Sequence, residues 1–390
     1  MKIPESVTWV SVVGARPQFV KLAPICRAIM AHNERVGTPR IEHRIIHTGQ
    51  HYDREVAELF FVQMGIPEPN YNLAVGSGSH GAQLSRMLER IEPVLQAEEP
   101  DWVIVYGDTN STLAGAIIAA RLELPLAHVE AGCRSYDMAM PEEQTRIVAD
   151  HLSQLLLAPS QSALENLHRE GIGSENDPRD RRTTLVGDVM HDAVLQNLAL
   201  AEAESAKTLQ QFSLEDHCYY LLTLHRAENT NDLCRLRTIL EAAGSLDLPV
   251  LFPIHPRTRH ILDSSPIRMK GNLRPVPPLG YFEMLVLEKN ASKIVTDSGG
   301  VQKEAFYLGV PCVTLRDRTE WPETVEAGAN RLVGTAPEDI RRSVLLGQAA
   351  GLYSVNPYGD GKASDKIVEA LLEVHGAGMD TGNASLAERA

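Results

Sequence analysis

Residues 7–21 read VTWVSVVGARPQFVK. Seven residues, mostly β-branched or aromatic, stop at Gly14, and Pro17 then opens a helix-period segment, Pro17–Ala31. A short apolar run, a glycine turn and a helix start make the strand–turn–helix unit of parallel sheets. A parallel neighbour can be reached only by a crossover, and the helix supplies it. The unit recurs along the chain. Ile41–His47, Trp102–Tyr106, Pro125–Val129, Gln154–Ala158 and Thr183–Val186 read as further strands, with helices over Ser111–Leu122 and Glu142–Leu152. A polar, helix-prone stretch follows at Ala199–Asp216. The alternation then restarts with Cys218–Leu224, Pro249–Ile254, Leu273–Val276, Lys293–Thr296 and Pro311–Leu315, and a helix over Val301–Leu308. Two such sets predict an α/β chain of two Rossmann-like domains, each with a parallel sheet covered on both faces. Residues 1–198 are assigned to the first domain and 199–375 to the second, with the last helix packing back on the first. Residues 376–390, small and polar, are expected to form a disordered tail.

Length and composition agree with two cores. The chain has 390 residues, 43% of them hydrophobic and 23% charged. A net charge of −14 weighs against nucleic acid or an anionic membrane as a partner. No apolar run approaches the roughly 20 residues of a spanning helix. The first residues lack a signal-peptide pattern, so the expected location is the cytoplasm. The five cysteines, at 26, 133, 218, 234 and 312, form no CxxC. They read as buried small hydrophobes in a reducing compartment. HExxH and similar metal spacings are missing. So are a Gly-x-Gly-x-x-Gly after the first strand and a Walker A loop. Zinc, nicotinamide-dinucleotide and P-loop chemistry therefore lose ground, and neither metal nor cofactor is expected.

In open parallel sheets ligands bind beyond the carboxyl ends of the strands. At those ends this chain places Gly14–Lys21, His47–Asp53, Gly107-Asp108-Thr109, Glu130-Ala131-Gly132, His225-Arg226, His255-Pro256 and Asp297-Ser298-Gly299-Gly300. Arg16 and Lys21 put positive charge beside a helix N-terminus, a place suited to an anion. Asp297-Ser298-Gly299-Gly300 ends a strand and opens a helix with exposed backbone N–H groups, a phosphate cradle. Glu304, one turn in, is placed to accept two ribose hydroxyls. Asp108, Glu130 and Glu142, with Arg146 one turn after Glu142, suit proton removal and return at one carbon. Each also has a plain structural reading, Asp108 as a helix cap and Glu142–Arg146 as a solvated i,i+4 pair. Their joint placement favours chemistry.

Taken together, GARPQFVKLAP, HTGQHYD, GDTNSTLAGA, HVEAGCRS, MPEEQTRIVADH, VGDVMHDAV, TLHRAEN, PIHPRTR and TDSGGVQKEAFYLGVPCVTLR run in order from residue 14 to 316. With TEWPETVEAGANRLVG after them, the chain resembles the non-hydrolysing UDP-N-acetylglucosamine 2-epimerases. The resemblance implies a GT-B-like fold, an active site in the interdomain cleft, a homodimer, a UDP-sugar substrate and no cofactor. It assigns the diphosphate to Ser298, Gly299 and Gly300, with Arg16 and His225 reaching it, and the ribose to Glu304. It assigns acid/base work to Asp108, Glu130 and Glu142 beside Arg146, with His225 in the catalytic set and Lys21 at the substrate. The implied reaction removes the C2 proton as UDP leaves C1, passes through a glycal and adds UDP back.

Some positions depart from the pattern. Thr145 stands where Asn is common, Asp188 where Asn is frequent, and Met284 where some members carry Phe. Gln50, Arg226 and His255 match parts of the allosteric substrate site of some members, while Asp53 stands there for a Gln. The alternatives are a C2 epimerase of a UDP-2,3-diacetamido-uronic acid and a GT-B glycosyltransferase.

Overall fold

The computed structural model describes residues 5–35, 38–50, 60–346 and 356–374. The tail at 376–390 and Asp53 lie outside the described residues. The chain divides into two compact units. The first holds the described residues up to Ala193 and again from Pro357, and the second holds Val194–Asn356. The division falls inside the helix Val189–Ala203.

In the first unit, β1 (Ser6–Val13), β2 (Arg40–His47), β3 (Tyr71–Asn72), β4 (Trp102–Tyr106), β5 (Leu126–Val129), β6 (Leu155–Ala158) and β7 (Arg182–Leu185) form one parallel sheet. Its order is β3-β2-β1-β4-β5-β6-β7. All five residues of β4 are buried, as a strand covered on both faces requires. On one face Val10, Val12, Val103 and Val105 pack with Met87, Ile91 and Leu95 of the helix His80–Glu98 and with Ala114, Ala116 and Ala119 of the helix Asn110–Arg121. The small residues of the latter let it lie close. A Cβ on Gly115 would come within 3.0 Å of Val105. The helix Arg16–Glu34 buries Phe19, Leu22, Ile25 and Ile29. Each such large side chain contributes about 1.5–3 kcal/mol. A final helix over 363–374 belongs to the same unit. The Asp192 carboxylate caps it, accepting from the Ala363 and Ser364 N–H groups at 3.0 and 2.7 Å, and Trp102 Nε1 donates to the Leu371 carbonyl at 3.2 Å.

The second unit repeats the plan. β8 (Tyr220–Thr223), β9 (Val250–Pro253), β10 (Leu273–Val276), β11 (Lys293–Thr296), β12 (Cys312–Thr314) and β13 (Asn330–Leu332) form a parallel sheet in the order β10-β9-β8-β11-β12-β13. Side chains alternate across its faces. Leu222, Phe252, Val295 and Val313 join Leu236, Ile239 and Ile340, whereas Leu221, Leu251, Ile294 and Cys312 join Leu285, Ala305 and Leu308.

Two features depart from the sequence reading. The edge strands β3 and β13 are two and three residues long and give no periodic signal. Cys26, Cys133 and Cys312 are buried, but Cys218 and Cys234 are exposed, two residues before β8 and on the first turn of the helix Leu233–Gly244. Among the described residues no helix is long and apolar enough to cross a membrane.

Candidate active site

Strand order reverses between β1 and β4 in the first sheet, so the chains leaving those strands diverge and open a crevice. The β1 turn is held shut by contacts rather than by its own propensity. Gln18 Oε1 accepts from the Gly14 and Ala15 N–H groups at 2.8 and 3.2 Å. Its Nε2 donates to the Tyr106 carbonyl and to Thr112 Oγ1, both at 3.1 Å, tying the turn to the end of β4. Gly14 is required by closeness, since a Cβ there would lie 2.0 Å from Thr48 Oγ1 and 2.3 Å from Ser111 Oγ.

Lys21, one turn into that helix, donates to Glu130 Oε1 at 2.6 Å, and both residues are nearly buried. Glu130 follows β5 with φ +73, a left-handed conformation that costs a non-glycine residue about 1–2 kcal/mol. Strain of this kind collects at functional sites. Gly107, after β4, has φ +58, and a Cβ there would stand 2.8 Å from Lys21 Nζ and 3.2 Å from Glu130 Oε1. The next residue, Asp108, accepts from Arg146 Nη1 at 2.5 Å. Burial raises the Asp108 carboxyl above its ordinary range. Arg146 and Lys21 oppose that rise, and Glu130 and Glu142 add to it. Glu130, Glu142, Lys21 and Arg146 therefore all act electrostatically on Asp108.

Glu142 is half-buried in the first turn of the helix Pro141–Leu152. Arg146 is fixed by the neighbouring Glu143, whose Oε2 accepts from its Nε and Nη2 at 3.1 and 2.8 Å. Glu143 also takes the Ser135 and Tyr136 N–H groups at 2.9 and 2.8 Å. Burial alone would raise its carboxyl, but these donors hold it below the ordinary range. Sequence reading passed over Glu143. The signal was there, because Glu143, Arg146 and Asp150 share one helical face at i, i+3 and i+7, and that face is buried.

In the second sheet the order reverses between β8 and β11, where the turns carrying His225 and Ser298 begin. Asp297 is fully buried and accepts the His225 and Arg226 N–H groups at 3.1 and 2.9 Å and Asn229 Nδ2 at 3.1 Å. It thus locks the two turns together. His225 Nδ1 lies 3.4 Å from its Oδ1, and the His225 ring packs against His255 with centroids 5.4 Å apart. Ser298 caps the helix Gly299–Leu308, its Oγ accepting from the Val301 N–H. A Cβ on Gly299 would lie 3.2 Å from Trp321 Nε1, 3.8 Å from Glu320 Oε2 and 3.9 Å from Arg226 Nη2, so two donors and a carboxylate flank this helix start. Lys303, buried in the same helix, stands 3.9 Å over the Trp321 ring. Glu304 is buried one turn on. Beside it Glu288, which the sequence reading missed, is 1% exposed. Its own burial and then Glu304 push the Glu288 carboxyl well above the ordinary range.

The remaining expected residues fall at strand ends too. Arg16 is exposed at the first position of its helix, and Gly300 follows Gly299 in the first turn of the other. Gln50 Oε1 accepts from Ser111 Oγ at 2.8 Å in the first unit. Arg226 and His255 lie in the second. His255 Nδ1 accepts from the Arg257 N–H at 3.2 Å, capping its own helix. Among the described residues no three His, Cys, Asp or Glu side chains are grouped to hold a metal ion.

Known proteins share this arrangement. The family model described as UDP-N-acetylglucosamine 2-epimerase matches residues 34–372. A Methanococcus maripaludis UDP-N-acetylglucosamine 2-epimerase homolog is 48% identical, the match covering 93% of this chain and 98% of that one. A Pseudomonas aeruginosa UDP-2,3-diacetamido-2,3-dideoxy-D-glucuronate 2-epimerase is 43% identical over 93% and 99%. The crystal structure of the Methanocaldococcus jannaschii UDP-GlcNAc 2-epimerase in complex with UDP-GlcNAc and UDP superposes with a TM-score of 0.83 at 44% identity, covering 93% and 99%. The two parallel α/β sheets are GT-B-like, as in these neighbours. Sheet order, strand-end carboxylates and a match across most of the length lead to one conclusion: the chain belongs to the UDP-N-acetylglucosamine 2-epimerase family.

Proposed function

We propose that this protein interconverts UDP-N-acetylglucosamine and UDP-N-acetylmannosamine by reversible proton transfer at C2. The observation that carries the reading is the pair of held carboxylates in the first unit, Glu130 on Lys21 at 2.6 Å and Asp108 on Arg146 at 2.5 Å. Two carboxylates in unlike surroundings suit one proton acceptor and one proton donor. The second unit supplies what a departing diphosphate needs. Ser298, Gly299 and Gly300 offer helix-start N–H groups with Arg226 and Trp321 beside them, and Glu304 serves the ribose. Arg16 and His225 complete the diphosphate contacts.

The step balances without an external reagent. A carboxylate takes the C2 proton, the C2–H electron pair becomes the C1=C2 bond, and the C1–O bond breaks to give a glycal and UDP. Protonation of C2 on the opposite face, with attack of the UDP oxygen at C1, completes the inversion. Lys21 and Arg146 hold the carboxylates while charge moves. The reading carries with it a homodimer and a cytoplasmic location. A second substrate, a UDP-2,3-diacetamido-uronic acid, is favoured by one observation, the 43% identity to the Pseudomonas enzyme of that name.

Proton NMR of the protein with UDP-N-acetylglucosamine in D2O tests this. Deuterium at C2 together with a second UDP-sugar is the expected result. Exchange only with the diacetamido-uronate substrate would move the assignment to that sugar. Sugar transfer to an added acceptor without C2 exchange would replace the proposal with a glycosyltransferase.

A further inference from the structure

His128, Asp150, Arg134 and Glu170 form a chain of charges behind the two carboxylate turns. His128 and Asp150 are 0% exposed and Arg134 is 4% exposed. His128 lies in β5, two residues before Glu130. Its Nδ1 is 2.6 Å from Asp150 Oδ1, and its Nε2 is 2.8 Å from the carbonyl oxygen of Gly107, the residue before Asp108. The other Asp150 oxygen accepts the Gly132 N–H at 3.1 Å, two residues after Glu130, and Arg134 Nη1 at 2.7 Å. Arg134 continues to Glu170 through bonds of 2.7 and 2.8 Å, and His151 meets the outer oxygen of Glu170 at 3.3 Å.

Hydrogen-bond chemistry constrains the ring. A carbonyl oxygen and an ionised carboxylate only accept. Burial alone would raise the Asp150 carboxyl, but His128 and Arg134 outweigh it and hold the group below the ordinary range, so it is ionised at neutral pH. Both nitrogens of His128 thus face groups that only accept, the Asp150 carboxylate and the Gly107 carbonyl, the geometry of a ring that donates from each. Arg134 in turn lies between the Asp150 and Glu170 carboxylates. The geometry has a further consequence. The backbone at Gly107, Glu130 and Gly132 is left-handed, with φ of +58, +73 and +82. Glycine takes that region freely and Glu130 does not, so the turn at Glu130 is the one that needs outside support. The Asp150 carboxylate braces that turn directly at Gly132 and the Gly107 turn through His128.

We propose that His128 and Asp150 are positioning residues that, with the imidazole doubly protonated, set the separation of the Asp108 and Glu130 carboxylates. The inference rests on the proton-transfer roles proposed above for those carboxylates. Neither residue touches substrate, so substitution acts on the chemical step and not on nucleotide binding.

The test combines kinetics and NMR on the full chain. His128→Gln keeps one donor and loses the other, and Asp150→Asn keeps shape and loses charge. For each, kcat falls about 100-fold, the scale of a misplacement of about 1 Å. KM and the Kd for UDP change by less than about threefold, too little to signal a lost binding contact. Imidazole 15N spectra of wild-type protein at pH 7.5 show both His128 nitrogens protonated, the signal being assigned by its loss in His128→Gln. A neutral His128 ring in active wild-type protein overturns the proposal. So does wild-type kcat in His128→Gln, or a rise in KM that accounts for the whole loss. The spectra need no variant to fold beyond the one used for assignment, and Asp150→Asn, which shifts the His128 signal by changing its Nδ1 partner without removing it, identifies it independently. Absence of C2 exchange in wild-type protein sinks the proposed function instead, an outcome distinct from exchange that survives His128→Gln.

Discussion

Consider removing one partner of the Lys21–Glu130 pair. Lys21 Nζ and Glu130 Oε1 stand 2.6 Å apart, with side chains 6% exposed on both sides. At an effective dielectric of 20 their attraction is roughly 6 kcal/mol, before the cost of desolvating two ions. Lys21→Met takes away the cation that faces the buried Glu130 carboxylate, a change that costs about 3–5 kcal/mol. Lys21→Met/Glu130→Gln removes both charges and recovers most of that loss, because the isosteric pair has no ion to desolvate. Trp9 and Trp102 report on the first unit, so urea unfolding followed by fluorescence in a Trp321→Phe background reads the cycle. Turnover behaves differently. Glu130→Gln, with one of the two proposed proton-transfer carboxylates gone, loses about 10²–10⁴-fold in kcat, and the double variant regains stability without regaining turnover. The reasoning fails if Lys21→Met costs under about 1 kcal/mol, the value of an exposed pair. It fails equally if the double variant is no more stable than Lys21→Met. Recovery of turnover along with stability would remove Glu130 from the chemistry.

Three further outcomes are expected. Gly107→Ala forces φ +58 on a side chain whose Cβ would meet Lys21 Nζ at 2.8 Å. It lowers stability by about 1–2 kcal/mol and displaces Lys21 from Glu130, and a crystal structure of the variant with an unmoved Lys21 would contradict this. Ser298→Asp brings a negative charge to the helix start and weakens UDP binding by at least about tenfold, or 1.4 kcal/mol; unchanged affinity by calorimetry would rule out that cradle. Asp177 organises the charged loop 174–182. Burial alone would raise its carboxyl, but Arg181 and the N–H groups of Gly173 and Arg179 bring it to about 2. A depressed carboxyl stabilises above its unfolded value of 3.8 and loses that contribution as pH falls towards about 2. Asp177→Asn is therefore less stable than wild type at pH 7, and the gap closes below about pH 2; a gap independent of pH in thermal melts would show that the charge plays no part.

Much of this protein was legible in sequence order. Apolar runs of strand length, most of them ended by Gly or a charged residue, marked eleven of the strands to within a residue or two at each end, because alternation and burial on both faces leave a local imprint. The same reading placed Asp108, Glu130, His225 and Ser298 at strand ends. Their partners were another matter. Lys21 and Glu130 are 109 residues apart, Asp108 and Arg146 38 apart, and only the sheet order brings them into contact. The sequence marked Asp297 as part of a phosphate turn, but its carboxylate faces inward and spends its oxygens on the backbone of residues 225 and 226. It passed over Glu143, whose carboxylate meets the Arg146 guanidinium at i,i+3. Local propensity acts over about four residues, so it can specify a strand, a cap or a turn. Which buried charge faces which, and which residue bears a left-handed backbone to do so, is decided by packing between segments distant in sequence, and that is why the His128–Asp150 connection became visible only in the folded chain.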